Sequence, residues 1–235
     1  MVVAVIPSAG KGERMKANKP KQFLEIKGTP LLIYTLLKFE KHPQVDAVIL
    51  SVSNEFINFT KKLVSSYNLK KVLKIVEGGK TRQESVFNGV KASPTETEIF
   101  LIHDAVRPFI SPDLIGKIIK TAKDFGTGIP AIPVRDTLNK VSKEEIIENI
   151  DRTGLFCIQT PQGIRADILK DLLEKAQREK LVFSDESTLL LHYGYKAKIV
   201  EGSFLNFKIT YPEDLFLAEK LIDCKIENLL KTYQK

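Results

Sequence analysis

The chain has 235 residues, 43% hydrophobic and 28% charged, with 36 Lys and Arg against 29 Asp and Glu, giving a formal charge of +7. This is the balance of a globular protein whose core needs no disulfide or structural metal. The lysines are scattered among acids and there is no Trp, so no basic stripe or aromatic platform of a nucleic-acid binder is present, and the charge reads either as an anionic partner such as a phosphorylated substrate or as a solvated Lys/Glu-rich surface. Two cysteines at no metal or redox spacing point to a reduced, cytoplasmic setting. The start is read as lacking a leader, and no apolar run reaches the ~20 residues of a membrane span.

In chain order, the β-branched run Val2–Pro7 predicts a buried strand that ends in a small-residue loop. A helix over Leu31–Phe39 follows, then a strand over Val45–Val52 and a helix over Asn54–Ser66 with Asn54 as its N-cap. Lys71–Val76 reads as a strand, Thr81–Lys91 as a helix and Ile99–His103 as a strand. Ser111 and Pro112 open a helix to Phe125, and Gly128–Val134 is the next strand. This alternation predicts an α/β, doubly wound, Rossmann-like and mostly parallel sheet with helices on both faces. Ligands of such sheets sit at the carboxyl ends of the strands. Polar clusters fall there at Ser8–Met15, Gly78–Ser85 and His103–Arg107.

The alternation breaks at Arg135–Arg152, where TLNKV and EIIENI flank a polar SKE turn. Residues 135–152 read as a surface hairpin, either inert or an arm that docks on a second subunit. Helices over Arg165–Glu179 and Asp185–His192, a strand over Lys196–Val200 and a helix over Pro212–Lys231 complete the chain. With no repeat and no low-complexity linker, residues 1–235 are taken as a single domain.

The loop after the first strand has small residues that let a ligand approach the backbone, followed by Arg14, Lys16, Lys19 and Lys21. It is no dinucleotide fingerprint, because Met15 stands where a third glycine belongs. Gly79-Lys80-Thr81 is no P-loop, because Lys74 stands where its first glycine belongs. Fixed cations beside such a loop suit phosphoryl or nucleotidyl transfer, in which catalysis is mostly positioning and charge stabilisation. The residues alone leave a basic phosphate-friendly loop or a merely basic one.

SAGKGERM followed by NKPKQF resembles the signature of nucleotidyltransferases that activate sugar phosphates. GGKTRQESVFNG, IHDAVRPF, PVRDT, DRTGLFCIQTPQ, SDES and NFKITYPEDL then appear in the order of the 2-C-methyl-D-erythritol 4-phosphate cytidylyltransferase family, from Val2 to about Leu221. The resemblance implies CTP and the polyol phosphate as substrates, Mg2+ as cofactor, and a homodimer formed through the arm, with no nucleic-acid or membrane partner. It implies Arg14 and Lys21 as the cations at the α-phosphate, with Arg152 and Lys208 completing the catalytic set. Pro7, Ser8, Ala9, Gly10, Gly79, Arg82, Ser85 and Ala105 are implied on the cytidine side. Asp104 is implied as the metal ligand. Thr137 and Arg152 are implied to reach across a dimer to the methylerythritol phosphate, with Ser184, Lys208 and Arg107 as further substrate contacts. Lys80 departs from the family, where an acidic residue often touches the nucleotide.

Plainer readings stand beside these. Arg14 and Lys21 read also as surface cations, Asp104 as a turn residue and Arg152 as a surface residue. His103 reads as a packed strand end rather than a ligand, and Asp185 and Glu186 as acids complementing a helix dipole rather than a second metal site. The same chemistry on ribitol 5-phosphate is the alternative activity. A non-catalytic nucleotide-binding scaffold is the alternative of another class, against which the presence of Arg14, Lys21 and Asp104 speaks.

Overall fold

The computed structural model describes residues 1–10, 12, 15 and 19–224. The elements run β1 (Val2–Ser8), the short pair β2 (Glu25–Ile26) and β3 (Thr29–Pro30), α1 (Leu31–Glu40), β4 (Ala47–Val52), α2 (Ile57–Ser66), β5 (Val72–Glu77), α3 (Arg82–Ala92), β6 (Ile99–Ile102), α4 (Pro112–Phe125) and β7 (Thr127–Pro133). They continue with β8 (Leu138–Ser142), β9 (Glu145–Ile150), β10 (Phe156–Ile158), β11 (Gln162–Arg165), α5 (Ala166–Glu179), α6 (Glu186–His192), β12 (Ile199–Glu201) and α7 (Pro212–Asp223).

The main sheet has the order β10-β7-β11-β6-β1-β4-β5, with β12 also pairing with β7. β1 lies at its centre, parallel to β4 and to β6. Successive side chains of β1 alternate between faces, as the two-residue period of a strand requires. Val2, Ala4 and Ile6 join the core beneath α1 and α4, with Leu36, Phe39 and Ile118. Val3 and Val5 join the core beneath α3, α5 and α6, with Val86, Leu172 and Leu190. Both faces are covered, as the alternation predicted. In α4 the Ser111 side chain accepts from the Leu114 amide and Pro112 takes the first turn, where its missing N–H costs no hydrogen bond.

No local pattern announces β11, which runs antiparallel to β6 and to β7. It follows Pro161 directly and carries Gln162 and Gly163 where β-branched residues are usual. Gly163 is required by packing, since a Cβ there would come 2.6 Å from Ile118 Cγ2. Asn54 is not a helix cap: a 3-10 turn spans Asn54–Phe56, and α2 begins after it. The Ser53 hydroxyl that precedes the turn donates instead to the Ala9 carbonyl, 3.0 Å away. Of the expected final helix, Pro212–Asp223 is present and 225–231 lies outside the described residues. Among the described residues no helix is long and apolar enough to cross a membrane.

The hairpin β8–β9 forms its own two-stranded sheet. Its two-residue turn, Lys143-Glu144, has φ of 48° and 67°, the twist that suits a tight hairpin. Every residue of β9 is exposed, although Val141 and Ile146, paired across the strands, are apolar and 58% and 69% exposed.

Candidate active site

A cavity of about 780 Å3 opens where the parallel strands end. Pro7 and Ser8 end β1 in it and Ala9–Gly10 follow, Ser53 follows β4, Gly79–Arg82 follow β5 and Asp104–Val106 follow β6. Among the described residues its lining holds the cations Lys21, Lys80, Arg82 and Lys208 and the carboxylates Glu55 and Asp104. An anionic ligand is therefore favoured over a cationic one.

The loop after β1 is fixed from two sides. Gln22, 3% exposed, donates from its side-chain amide to the Ser8 carbonyl at 2.5 Å. Ser53 holds the Ala9 carbonyl. Opposite, Thr81 caps α3 by accepting from the Glu84 amide. The Ser85 hydroxyl accepts from the Gly79 amide and donates to the Thr81 carbonyl, both at 3.0 Å. Gly79 lies so close to Glu84 that any Cβ there would collide with the Glu84 side chain. Two tight backbone walls thus face each other across the cavity.

Asp104 sits on the cavity floor among three cations. Its Oδ2 accepts from Lys208 Nζ at 3.1 Å and from Arg107 Nε at 3.2 Å, while Oδ1 lies 3.5 Å from Arg82 Nε. Burial opposes the charged carboxylate, but Lys208, Arg82 and Arg107 together hold it far below the usual carboxylate range. Arg107 also donates to the Asn206 carbonyl at 2.8 Å, and Asn206 donates to the Thr160 carbonyl at 2.8 Å. These bonds pin the segment that delivers Lys208. Lys21 Nζ donates to the neighbouring Ile209 carbonyl at 3.3 Å.

His103 supports this floor from below. Its Nε2 lies 3.1 Å from the Arg107 carbonyl and its Nδ1 3.0 Å from the Thr160 hydroxyl. A carbonyl only accepts, so Nε2 carries the proton and Nδ1 accepts from Thr160. The same hydroxyl accepts from the Asp104 amide at 3.1 Å. Burial, against the opposing pull of Asp104, pushes His103 down from 6.5 to about 4. It is a packed, neutral strand-end residue, as the sequence suggested.

Of the residues singled out in the sequence, Pro7, Ser8, Ala9, Gly10, Lys21, Gly79, Arg82, Ser85, Asp104, Ala105 and Lys208 line the cavity. Arg107 stands behind Asp104. Arg14 lies outside the described residues. Thr137, Arg152 and Ser184 are exposed and do not line the cavity. Arg152 donates to the Arg135 carbonyl at the base of the hairpin, and the Arg135 guanidinium lies 3.2 Å from the Phe204 ring centroid. The Ser184 hydroxyl faces Thr188 at 3.4 Å.

Two residues take roles that sequence reasoning does not reach. Asp185 does cap α6, accepting from the Thr188 amide. Glu186, expected to be a dipole-complementing acid, is instead 3% exposed and turned inward. It takes Arg82 in a two-pronged pair, at 2.7 and 3.0 Å. Gln22 is a positioning group whose only sequence signal is its place beside Lys21 in P-K-Q. Among the described residues no group of three or more His, Cys, Asp or Glu is placed to hold a metal ion. The donors fit a divalent cation that arrives on a triphosphate, since Mg2+ commonly takes one or two carboxylates with substrate phosphates and water. They do not fit a metal held by the protein alone.

A doubly wound sheet with a cation-lined cavity over a small-residue loop is the build of a nucleotidyltransferase. Residues 2–223 match the family model of 2-C-methyl-D-erythritol 4-phosphate cytidylyltransferase, and the chain belongs to that family. It is 41% identical to the enzyme of that name from Clostridium botulinum (strain Langeland), over 93% of this chain and 96% of the relative. It is similar to the crystal structure of the Thermus thermophilus enzyme, with a TM-score of 0.77, 32% identity and coverage of 93% and 97%. It is also similar to the 4-diphosphocytidyl-2C-methyl-D-erythritol synthase of Anaerococcus prevotii, with a TM-score of 0.81, 28% identity and coverage of 95% and 98%.

Proposed function

We propose that this protein transfers the cytidylyl group of CTP to 2-C-methyl-D-erythritol 4-phosphate, giving 4-diphosphocytidyl-2-C-methyl-D-erythritol and pyrophosphate, in the non-mevalonate route to isoprenoids. The observation that carries the reading is the convergence of Lys21, Asp104 and Lys208, distant in sequence, on one cavity between two tight backbone walls. The Ser8–Gly10 loop and the Gly79–Ser85 wall take the cytidine side, where small residues leave room for a pyrimidine. Lys21 faces the α-phosphate, and Arg14 is assigned to the same role by the family resemblance. Lys208, neutralised in part by Asp104, holds the acceptor phosphate, and Arg107, expected as a further substrate contact, is instead buried behind Asp104 and off the cavity lining, where it orients that carboxylate.

An oxygen of that phosphate attacks the α-phosphorus in line. One O–P bond forms, the bond to the bridging oxygen breaks, and pyrophosphate leaves with that electron pair. No protein nucleophile is needed, because the phosphate monoester is already one. Lys21 and Arg14 stabilise the charge that builds on the equatorial and leaving oxygens. Mg2+ arriving with the triphosphate would neutralise more of its charge, and Asp104 is the residue that would help hold it.

The acceptor side is completed by a second copy of the chain in this proposal. The exposed apolar arm supports that reading, since Val141, Ile146 and Ile147 are each more than half exposed. Docked on a neighbour, the arm brings Thr137 and Arg152 to the neighbour's cavity, and Ser184 adds an outer contact. A cytoplasmic location belongs to the same proposal, consistent with the exposed, unpaired thiols of Cys157 and Cys224.

The test is pyrophosphate release from CTP with methylerythritol phosphate or ribitol 5-phosphate as acceptor. Release with the first is expected. Release with ribitol 5-phosphate alone reassigns the acceptor, and release with neither removes the activity. Chelation of divalent cations is expected to abolish release reversibly.

A further inference from the structure

Arg82 differs from the other cations of the cavity in being gripped from behind. Each terminal nitrogen of its guanidinium gives one proton to Glu186, at 2.7 and 3.0 Å, and Nε faces Asp104 at 3.5 Å. A guanidinium has five N–H donors, so each terminal nitrogen keeps a second proton for a ligand. Glu186 is buried and does not line the cavity. It fixes the plane of Arg82 without competing for what binds there.

The placement of Glu186 is itself secured from three directions. Asp185 caps α6 on the Thr188 amide at 2.9 Å, and Gln162 of β11 donates to Asp185 at 2.8 Å. From α3, the Gln83 side chain donates to the Leu181 carbonyl at 2.9 Å and accepts from the Phe183 amide at 2.7 Å. Adjacent residues of α3 therefore hold the segment entering α6 and the first residue of α6. A buried ion pair contributes little net stability compared with apolar packing. What it supplies here is geometry: a guanidinium held at one angle on the wall of the nucleotide cavity.

We propose that Glu186 is a positioning residue of the nucleotide site, acting through Arg82, with Gln83 securing the segment that delivers it. The proposal rests on the reading that CTP occupies this cavity. Under it, Glu186→Gln keeps the shape and loses the charge that orients Arg82. The KM for CTP is expected to rise roughly 10–100-fold, the range seen when a carboxylate orienting a binding group is removed from a metal site. The turnover number and the KM for the acceptor change far less.

The deciding experiment is a double-mutant cycle read in KM for CTP, with Glu186→Gln, Arg82→Ala and the pair. If Glu186 acts through Arg82, Glu186→Gln adds no further rise once Arg82 is gone. A general loss of structure would lower thermal stability and the active fraction without that pattern. An equal rise on both backgrounds overturns the proposal, as does an unchanged KM in the single variant. If Glu186→Gln fails to fold, Gln83→Ala takes its place in the same cycle. A KM for CTP that rises only while Arg82 is present supports the proposal, and an unchanged KM overturns it. Wild-type protein that releases no pyrophosphate from CTP sinks the functional reading and this inference with it. Wild-type turnover with an unchanged KM in the variant sinks the inference alone.

Discussion

The floor of the cavity and the β8–β9 hairpin are built on opposite principles. On the floor, Asp104, Arg107 and His103 are all buried, and each side chain is tied to a named partner. On the hairpin every β9 residue is exposed, and the apolar side chains of Val141 and Ile146 face solvent. The floor fixes charges in one geometry before a ligand arrives, which is what transition-state stabilisation requires. The hairpin has no burial of its own to fix anything, so its order and its use depend on what covers it. Under the proposed function, one chain presents a nearly complete nucleotide half and an acceptor half that the partner's arm completes.

Removing a cation from the complete half gives the largest expected effect. Lys21→Ala is expected to lower kcat by about 10²–10³, or ~2.7–4 kcal/mol of transition-state stabilisation, with the melting temperature nearly unchanged. Steady-state pyrophosphate release and a thermal melt check both. Near-wild-type turnover would take Lys21 out of the reacting centre. The same variant tests the division between halves. Mixed with Arg152→Ala chains, it forms heterodimers in which one cavity has its own Lys21 and receives Arg152 of the partner subunit. Random pairing in a two-fold dimer restores about a quarter of wild-type activity. Heterodimers that form without any recovery would place Arg152 outside the neighbouring site.

The hairpin is the next place to break the comparison. Val141→Asp with Ile146→Asp puts two charges on the arm while leaving the floor untouched. Losing the burial of two such side chains costs roughly 1.5–3 kcal/mol each, so dimer dissociation is expected to rise by at least about 10². Sedimentation should then show monomers, and calorimetry should still show CTP binding at close to wild-type affinity. A dimer that survives, or CTP binding lost along with it, would contradict the division of labour.

The same contrast explains what the sequence disclosed. β1 and α4 are legible because their signals are local: a β-branched run in one case, a Ser-Pro start and an apolar face at helical spacing in the other. The hairpin is legible as two short segments about a polar turn. Whether it docks on a second copy is not, because an interface leaves no periodicity in the chain that makes it. β11 is opaque because its Gly163 answers to Ile118 of α4, a contact made only in the folded sheet. Glu186 misleads for the same reason: beside Asp185 at a helix start it looks like any acid near the dipole. Only the fold brings Arg82, 104 residues away, into reach. Local chemistry is readable, and groups that act through a distant side chain are not.

Acid gives a smaller effect, and it sharpens the comparison because it acts on the floor alone. His103 is held near 4 in the folded chain, below its ordinary 6.5, chiefly by burial. Between those values the unfolded chain binds a proton that the folded chain does not. The stability that His103 contributes is therefore complete above pH 6.5 and declines as pH falls toward 4. His42, also lowered chiefly by burial, adds in the same direction. Asp104, held low, loses its contribution only below the ordinary carboxylate value of 3.8, outside this window. From pH 6.5 to pH 5 the His103 contribution should fall by about 2 kcal/mol, seen as a drop in denaturant midpoint. His103→Gln keeps a donor for the Arg107 carbonyl and an acceptor for Thr160 but does not titrate, so it should flatten that slope. Amide exchange, expressed as protection relative to an unstructured peptide at each pH, should locate the change at Asp104, whose amide hangs on the Thr160–His103 chain, and leave the protection of Ile146 on the hairpin unchanged. An undiminished slope in His103→Gln, or protection lost with acid on the hairpin but not at Asp104, would mean that the floor is not the acid-sensitive part of the molecule.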